Sequence, residues 1–206
     1  MISIKACRSA FTRYRTKRNN EMKDRNNRVC PVERAGSLDS SIRRWFQDPQ
    51  KILRPYIEEG MTVLDVGCGP GFFTIGMAQM VGESGRVIAV DLQEGMLQKL
   101  RAKIQGTELG KRIRLHKSEM SSIGLSDKVD FALTFYVVHE LPNQGEFFME
   151  LISMLKPRGL ALIVEPPLHV SKSAFEETIK IARNVGFTVL EGPKIFLSKS
   201  ALLRNG

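Results

Sequence analysis

The chain has 206 residues, enough for one well-buried domain with short appendages and too few for two ordinary domains. Hydrophobic residues make up 42% and charged residues 26%, and no apolar run approaches the roughly 20 residues that a membrane-spanning helix needs. The composition therefore predicts a soluble globular protein without a membrane partner.

The net charge of +9 is concentrated at the N-terminus. Residues 1–28 contain nine Lys or Arg and two acids, so +7 of the total falls there and the rest of the chain is nearly neutral. We expect residues 1–28 to form a basic, disordered extension. A phosphate-contacting arm, a targeting peptide and translation that begins at Met22 are the alternatives. Binding to nucleic acid is possible on this basis but is not favoured.

The three cysteines, Cys7, Cys30 and Cys68, are an odd number and have no C-x-x-C spacing. This pattern indicates neither a disulfide framework nor a zinc knuckle. It fits a reducing compartment, so we predict a cytoplasmic location.

From Ser37 onward, helical and extended patterns alternate. Residues 29–59 are predicted to form a helical cover, with one helix over Ser37–Phe46 and a second from the N-cap Asp48 to Gly60. The domain that follows, residues 60–206, contains further predicted elements. They are strands Met61–Val66, Arg86–Asp91, Ile113–His116, Val129–Phe135, Gly159–Val164, Phe187–Leu190 and Ile195–Leu197, and helices Phe72–Val81, Glu94–Gln105, Gln144–Leu155 and Ser171–Val185. This order predicts an α/β fold with a seven-stranded, mostly parallel, doubly wound sheet and helices on both faces.

The first predicted strand runs into a glycine-rich turn before a helix. The turn, Asp65-Val66-Gly67-Cys68-Gly69-Pro70-Gly71, lies at the carboxyl edge of the sheet, where open α/β folds bind ligands. Phe72 stands where the dinucleotide fingerprint has its third glycine, so a nicotinamide oxidoreductase is disfavoured. Pro70 removes a backbone N–H and Asp65 adds a negative charge, so the turn suits a ligand with an ammonium and a sulfonium better than a diphosphate.

Asp91 ends the second strand, 24 positions after Gly67, where an acid can accept hydrogen bonds from both ribose hydroxyls of an adenosine. With this acid and the segment Val63–Gly71, the chain resembles the class I S-adenosylmethionine-dependent methyltransferases from about Gly60 to Leu197. The resemblance implies an antiparallel last strand, S-adenosylmethionine as the cofactor and an adenine contact at Glu119–Met120, although Glu119 also reads as a plain surface residue. The predicted cofactor-binding residues are Asp65, Gly67, Cys68, Gly69, Gly71, Phe72, Asp91, Leu92, Met96, Glu119, Met120, Phe135 and Tyr136.

The segment after strand 4, Thr134–Leu141, lacks the Asp/Asn-Pro-Pro-Tyr sequence of enzymes that methylate planar amines. It resembles the small-molecule methyltransferases of ubiquinone and menaquinone biosynthesis. We therefore predict methyl transfer to a small-molecule acceptor. The alternatives are an RNA or protein methyltransferase that uses the basic tail, and a non-catalytic S-adenosylmethionine-binding protein.

His139 is the candidate general base, because an imidazole titrates near neutral pH. A structural histidine that caps local backbone is the alternative. His139 and His169, with Glu140 and Glu165, form a set competent for a divalent metal, but no regular ligand spacing supports it and we predict no metal. Residues 43–46, Arg-Arg-Trp-Phe, read either as a binding site for an anionic or aromatic substrate or as core anchors with solvated arginines. The acceptor atom and the oligomeric state stay open.

Overall fold

The computed structural model describes residues 46–206. The predicted extension over residues 1–28, the helix predicted before Phe46 and the side chains of Arg43, Arg44 and Trp45 lie outside the described residues. Within the described part of the chain, no helix is long and apolar enough to cross a membrane.

Residues 46–206 form seven β-strands and five α-helices. In chain order they are α1 (Pro49–Leu53), β1 (Thr62–Val66), α2 (Phe72–Met80), β2 (Arg86–Asp91), α3 (Glu94–Ile104), β3 (Ile113–Lys117), β4 (Val129–Phe135), α4 (Gln144–Met154), β5 (Leu155–Glu165), α5 (Lys172–Val185), β6 (Phe187–Glu191) and β7 (Lys199–Asn205). Two short 3-10 turns, Leu109–Arg112 and Val138–Glu140, precede β3 and follow β4.

The strands form one sheet in the order β3-β2-β1-β4-β5-β7-β6. The first five strands are mutually parallel, and β7 runs antiparallel to both β5 and β6. The predicted fold is confirmed, including the antiparallel direction of the last strand, although that strand is formed by other residues than predicted. The strand order reverses between β1 and β4, and ligands of open α/β sheets bind in the crevice at the carboxyl ends of such a pair.

Apolar residues cover both faces of the sheet. Phe131, Ala132 and Leu133 of β4 are all fully buried, as expected for a central parallel strand. One core cluster joins the sheet to α1, α2 and α3, and the other joins it to α4 and α5. The two-sided core holds the carboxyl ends of β1, β2, β4 and β5 in fixed positions.

The predicted helix from Asp48 to Gly60 is wrong beyond Leu53. The Asp48 side chain accepts from the N–H of Gln50 at 2.9 Å, so the predicted N-cap is present. The helix ends at Leu53 because Pro55 has no N–H to continue the helical hydrogen bonds. In the described part of the predicted cover, only Pro49–Leu53 is therefore a regular α-helix.

The predicted last strand, Ile195–Leu197, is also wrong. The N–H of Ser198 donates to the carbonyl of Ile195 at 3.0 Å, and Leu197 has a φ of 54°, so this segment turns instead of extending. The last strand is Lys199–Asn205, in which Ala201 pairs with Ile163 and Leu203 with Ala161 of β5. The turn before it lies at the carboxyl edge of the sheet, because Lys199 pairs with Glu165 at the end of β5.

Strand β5 is longer at its amino end than predicted. It begins at Leu155 instead of Gly159, because its pairing with β4 continues past an irregularity in the register between Val129 and Phe131. The carboxyl end of β5 is unaffected.

Candidate functional site

The glycine loop after β1 is tied to the end of β2. The N–H groups of Gly67 and Cys68 donate to the carbonyl of Val90 at 2.8 and 2.9 Å, and the N–H of Gly71 donates to the carbonyl of Cys68 at 3.0 Å. Lys103 of α3 donates to the carbonyl of Pro70 at 2.7 Å. The loop is thus fixed by its own backbone and by α3.

The three glycines of the loop all have left-handed φ angles, 71° at Gly67, 53° at Gly69 and 91° at Gly71. A Cβ on Gly67 would lie 2.3 Å from Cγ2 of Val137, and a Cβ on Gly71 would lie 2.3 Å from Cδ1 of Leu100. A Cβ on Gly69 would meet nothing within 4 Å. The packing of the chain itself requires Gly67 and Gly71, whereas Gly69 leaves open space beside the backbone.

Asp91 joins this loop to the start of α3. Its Oδ2 accepts from the N–H of Gly69 and its Oδ1 from the N–H of Gln93, both at 2.8 Å. Burial raises the pKa of Asp91, and these two hydrogen bonds oppose the effect. Each carboxylate oxygen has a second lone pair, so Asp91 keeps acceptor capacity for a ligand hydroxyl. Leu92, next in the chain, is half-buried.

The interior of the loop is closed and acidic. Asp65 is 2% exposed, and its Oδ2 accepts from the hydroxyl of Thr74 at 2.6 Å. Burial, followed by the charges of Asp65 and Asp91, raises the pKa of the Cys68 thiol well above its usual value. Of the other predicted cofactor residues, Phe72 and Met96 place their side chains in the core.

A shallow cleft lies beyond the end of β3. Glu119 and Met120 line it on one side, and Leu141 and Pro142, which follow β4, line it on the other. Glu119 itself is exposed. The structure thus places the two residues predicted for adenine in an apolar cleft at the same edge as Asp91.

Glu150 of α4 also lines this cleft, although no sequence pattern indicates its role. Its carboxylate accepts from the N–H groups of Ile123 and Gly124 at 2.8 and 2.7 Å and from the hydroxyl of Ser122 at 3.0 Å. Glu150 therefore fixes the loop that forms one side of the cleft. Its partners are 26 to 28 residues away in sequence, so no local pattern reveals the contact.

Phe135, the last residue of β4, and Tyr136, which follows it, are both predicted to contact the cofactor. Phe135 is buried against Phe73, with the ring centroids 4.4 Å apart. Tyr136 has a φ of 66°, and its N–H donates to the carbonyl of Val164 at 2.8 Å. Left-handed conformations are uncommon for a bulky residue and cluster at functional sites.

The Tyr136 hydroxyl connects two other segments to the end of β4. It accepts from the side-chain amide of Gln47 at 2.7 Å and shares a hydrogen bond of 2.7 Å with the hydroxyl of Ser198. Sequence reasoning missed both Gln47 and Ser198. Their contacts show that the segment before α1 and the turn before β7 meet at this rim.

His139 is held by Glu165, which is 1% exposed at the end of β5. One Glu165 oxygen lies 2.5 Å from Nδ1 of His139, and the other accepts from the His139 backbone N–H at 3.3 Å. Burial lowers the pKa of His139, but the hydrogen bond and charge of Glu165, with the charge of Glu140, raise it to a net value above normal.

The carboxyl of Glu140 has a strongly raised pKa. Burial, with smaller contributions from the charges of Asp91 and Glu165, raises its pKa to about 7, although the charge of His139 opposes the shift. The charge of Asp91 thus acts on the turn after β4.

Exposed apolar side chains surround the outer part of this edge. Phe46 and Phe196 stack with ring centroids 4.9 Å apart, and both are about half exposed. Leu197, in the same turn as Phe196, and Leu168, three residues after Glu165, are 68% and 93% exposed. The rim thus offers an aromatic and aliphatic surface to an incoming molecule.

The histidines do not assemble a metal site. The rings of His139 and His169 lie parallel with centroids 6.4 Å apart, and Nδ1 of His139 is bonded to Glu165. Among residues 46–206, no group of three or more His, Cys, Asp or Glu side chains is arranged to hold a metal ion.

The carboxyl edge therefore combines open backbone at Gly69, an acid at Asp91, an apolar cleft at Glu119–Met120 and further carboxylates at Asp65 and Glu140. This set fits a cationic adenosyl ligand, because carboxylates stabilise positive charge and the apolar cleft accepts a flat base. The fold and the site of this chain are together those of a class I S-adenosylmethionine-dependent methyltransferase.

Similarity to known proteins leads to the same class of protein. Residues 57–191 match the methyltransferase domain family, and the chain belongs to that family. It is 31% identical to a SAM-dependent methyltransferase of known structure from Aquifex aeolicus, with a TM-score of 0.75 over 85% of this chain and 98% of the other. The predicted resemblance and the predicted cofactor, S-adenosylmethionine, are thereby confirmed.

Curated relatives are matched over a shorter length. The chain is 30% identical to a demethylmenaquinone methyltransferase from Lactobacillus johnsonii over 132 residues, which are 62% of this chain and 54% of the relative. It is 31% identical to a protein of the same name from Lactococcus lactis over 57% of this chain and 48% of the relative. The chain thus spans about half the length of these relatives.

Proposed function

We propose that this protein transfers a methyl group from S-adenosylmethionine to a small-molecule acceptor at the carboxyl edge of β1, β2, β4 and β5. The observation that carries the proposal is the meeting of the Gly67–Gly71 loop, Asp91 and the turn after β4 at one edge. Gly69 both donates to Asp91 and leaves open space, so the loop and the acid present one continuous surface to a ligand.

The cofactor would lie along this surface. We assign its methionine part to the glycine loop, its ribose to Asp91 and Leu92, and its adenine to the cleft with Glu119 and Met120. Asp65, Cys68, Phe72 and Met96 would act behind this surface, since their side chains are buried. Phe135 and Tyr136 would border the methyl group. When bound, the cofactor supplies an electrophilic methyl group on a sulfonium.

The acceptor would enter over the rim of Phe46, Phe196, Leu197 and Leu168. These exposed apolar side chains favour a molecule with an apolar or aromatic part. The names of the curated relatives, demethylmenaquinone methyltransferases, point to the same kind of acceptor. We also propose that residues 29–59 cover this entrance, because Gln47 and Phe46 contact Tyr136 and Phe196. The cytoplasmic location stays a prediction.

Methyl transfer from a sulfonium has a good leaving group, so the protein mainly supplies alignment and a dry pocket. The buried loop interior and the fixed turn after β4 provide both. His139 stays the candidate base, with its ring oriented by Glu165.

Calorimetric titration with S-adenosylmethionine and S-adenosylhomocysteine tests the cofactor half. We expect micromolar binding, corresponding to about 8 kcal/mol, that is lost in Asp91→Ala. Asp127→Ala is the matched control, because Asp127 pairs with Arg114 near the start of β3, at the opposite edge of the sheet. Equal binding by the Asp91 variant, or none by folded wild type, would refute the assignment. An acceptor screen that starts with reduced demethylmenaquinone and simple phenols tests the second half.

A further inference from the structure

The contact between Glu165 and His139 has a geometry that a merely capping histidine does not need. Both oxygens of a carboxylate that is 1% exposed serve one residue, through its backbone N–H and its ring Nδ1. Because Nδ1 lies against a carboxylate oxygen, we assign the ring hydrogen to Nδ1, which donates to Glu165. In the neutral ring the lone pair is therefore on Nε2, and the rotation of the ring is fixed.

The ring lies at the edge where the cofactor is assigned. Its turn, Val138–Glu140, follows Val137, whose Cγ2 fills the space beside Gly67. The His139 side chain is 25% exposed, so it is partly reachable from outside while Glu165 is not. The imidazole therefore stands between a buried carboxylate and the rim.

We propose that Glu165 and His139 form a carboxylate–imidazole dyad that removes the proton from an acidic hydroxyl of the acceptor. Glu165 is then a positioning residue that acts through His139. This inference rests on the proposed function and extends it from the cofactor to the chemistry of the acceptor.

The strength of such a base restricts the acceptor. An imidazole titrates near 6.5 and a phenol near 10, a gap that a hydrogen-bonded active site can bridge before the methyl group is transferred. An aliphatic alcohol is far less acidic and would have to lose its proton in concert with attack on the methyl group. The dyad therefore favours a phenol or an enol over an aliphatic alcohol.

The hydroxyl proton passes to Nε2 of His139, and an electron pair of the ionised acceptor forms the new bond to the methyl carbon. The carbon–sulfur bond breaks and its electron pair goes to sulfur, which changes from a sulfonium to a neutral thioether. His139 then gives the proton to water.

The titratable groups near the His139 ring come from three segments. Glu165 faces His139 from β5, His169 stacks on its ring from the segment after β5, and Glu140 lies in the same turn, with its own charge affected by Asp91. Because the pKa of His139 is raised, its neutral, basic form predominates at a higher pH than in an ordinary histidine. Turnover is therefore expected to increase with pH through that raised pKa.

The first test is NMR titration of the His139 ring without cofactor, in wild type and Glu165→Gln, with the three histidines assigned by single His→Gln variants. We expect Glu165→Gln to lower the His139 pKa, because it removes the charge and the acceptor at Nδ1. The same substitution should move the rising limb of the kcat–pH profile to lower pH and leave S-adenosylmethionine affinity unchanged. An unchanged His139 pKa in folded Glu165→Gln would overturn the dyad.

If Glu165→Gln does not fold, the kinetics of His139→Gln test the proposal instead. We expect the kcat of His139→Gln to fall by about 10²- to 10⁴-fold and its kcat–pH profile to lack the rising limb. The profile of His169→Gln should keep that limb. A rising limb that persists in the kcat–pH profile of His139→Gln, or that is lost only in the profile of His169→Gln, would overturn the proposal. Failure of the proposed function is separate, because it appears as absent cofactor binding or turnover in wild type.

Discussion

The side chain of Val137 occupies the space in which a side chain at Gly67 would begin, with 2.3 Å between Cγ2 of Val137 and the ideal Cβ position of Gly67. This contact joins the loop after β1 to the turn after β4, the two strands at which the sheet order reverses. The residue type at position 67 is therefore dictated by the packing of the chain itself, whereas Gly69 faces open space.

Gly67→Ala and Gly69→Ala should separate packing from ligand access. A left-handed alanine costs roughly 1–2 kcal/mol, so Gly69→Ala should lower the free energy of unfolding by about that amount. Gly67→Ala should lower it further, because its methyl group overlaps Val137. Urea unfolding measures both. We also expect Gly69→Ala to lose cofactor affinity more than its stability loss explains, as measured by calorimetry.

Val137→Ala provides the control for this comparison. Added to Gly67→Ala, it should restore part of the lost stability, since it removes the overlapping methyl group. Added to Gly69→Ala, it should restore none. Equal behaviour of the two pairs would mean that the contact with Val137 does not determine the residue at position 67.

The glycine loop is the part of the candidate site that is easiest to predict from sequence. Its residues are contiguous, and the residue type at each position has a local structural reason. The turn from β1 into α2 and the acid at the end of β2 follow from strand and helix patterns alone. Their hydrogen bond, from Gly69 to Asp91, spans 22 residues but joins two adjacent parallel strands, so it is a consequence of the fold.

Contacts between distant segments were not predictable in the same way. The bond between His139 and Glu165 spans 26 residues, and that between Gln47 and Tyr136 spans 89. The strand predicted at Ile195–Leu197 was wrong because three consecutive apolar residues do not distinguish a strand from a turn that buries one side chain. Here Ile195 is buried while the backbone turns, and pairing with β5 selects residues 199–205.

The hydrogen bond between Gln47 and Tyr136 should be measurable as a coupling energy. Gln47→Ala and Tyr136→Phe each remove one partner of a part-buried bond of 2.7 Å. A double-mutant cycle on urea unfolding should give roughly 0.5–1.5 kcal/mol of coupling. The pair Gln47→Ala and Ser153→Ala, in which Ser153 bonds within α4, should show none. Additive effects in the first cycle would show that the segment before α1 is not held by Tyr136.

The carboxyl of Glu140 should make stability depend on pH. Its pKa rises from 4.5 to about 7 in the folded protein, so the folded state holds this proton more tightly than the unfolded state. The resulting stabilisation is complete below pH 4.5 and is lost as the pH increases to about 7. Glu140→Gln cannot ionise, so its stability relative to wild type should increase over this interval and stay constant above it.

Urea unfolding at pH 4.5, 6, 7 and 8 checks this prediction. Glu146→Gln is a suitable control, because Glu146 is exposed at the start of α4. A difference between Glu140→Gln and wild type that does not change with pH would contradict the raised pKa.

The aromatic rim should contribute to binding of the acceptor but not of the cofactor. Phe196 is 58% exposed, stacks on Phe46 and stands in the turn whose Ser198 bonds to Tyr136. Contact with one aromatic ring contributes about 0.5–1.5 kcal/mol beyond area burial, which corresponds to at most about a tenfold change in affinity. Phe196→Ala should therefore raise the KM for an apolar acceptor up to tenfold, with calorimetric affinity for S-adenosylmethionine unchanged. Met149→Ala removes an equally exposed apolar side chain from α4 and should change neither value. If Phe196→Ala weakens cofactor binding as strongly as acceptor binding, the turn supports the whole site and is not the entrance.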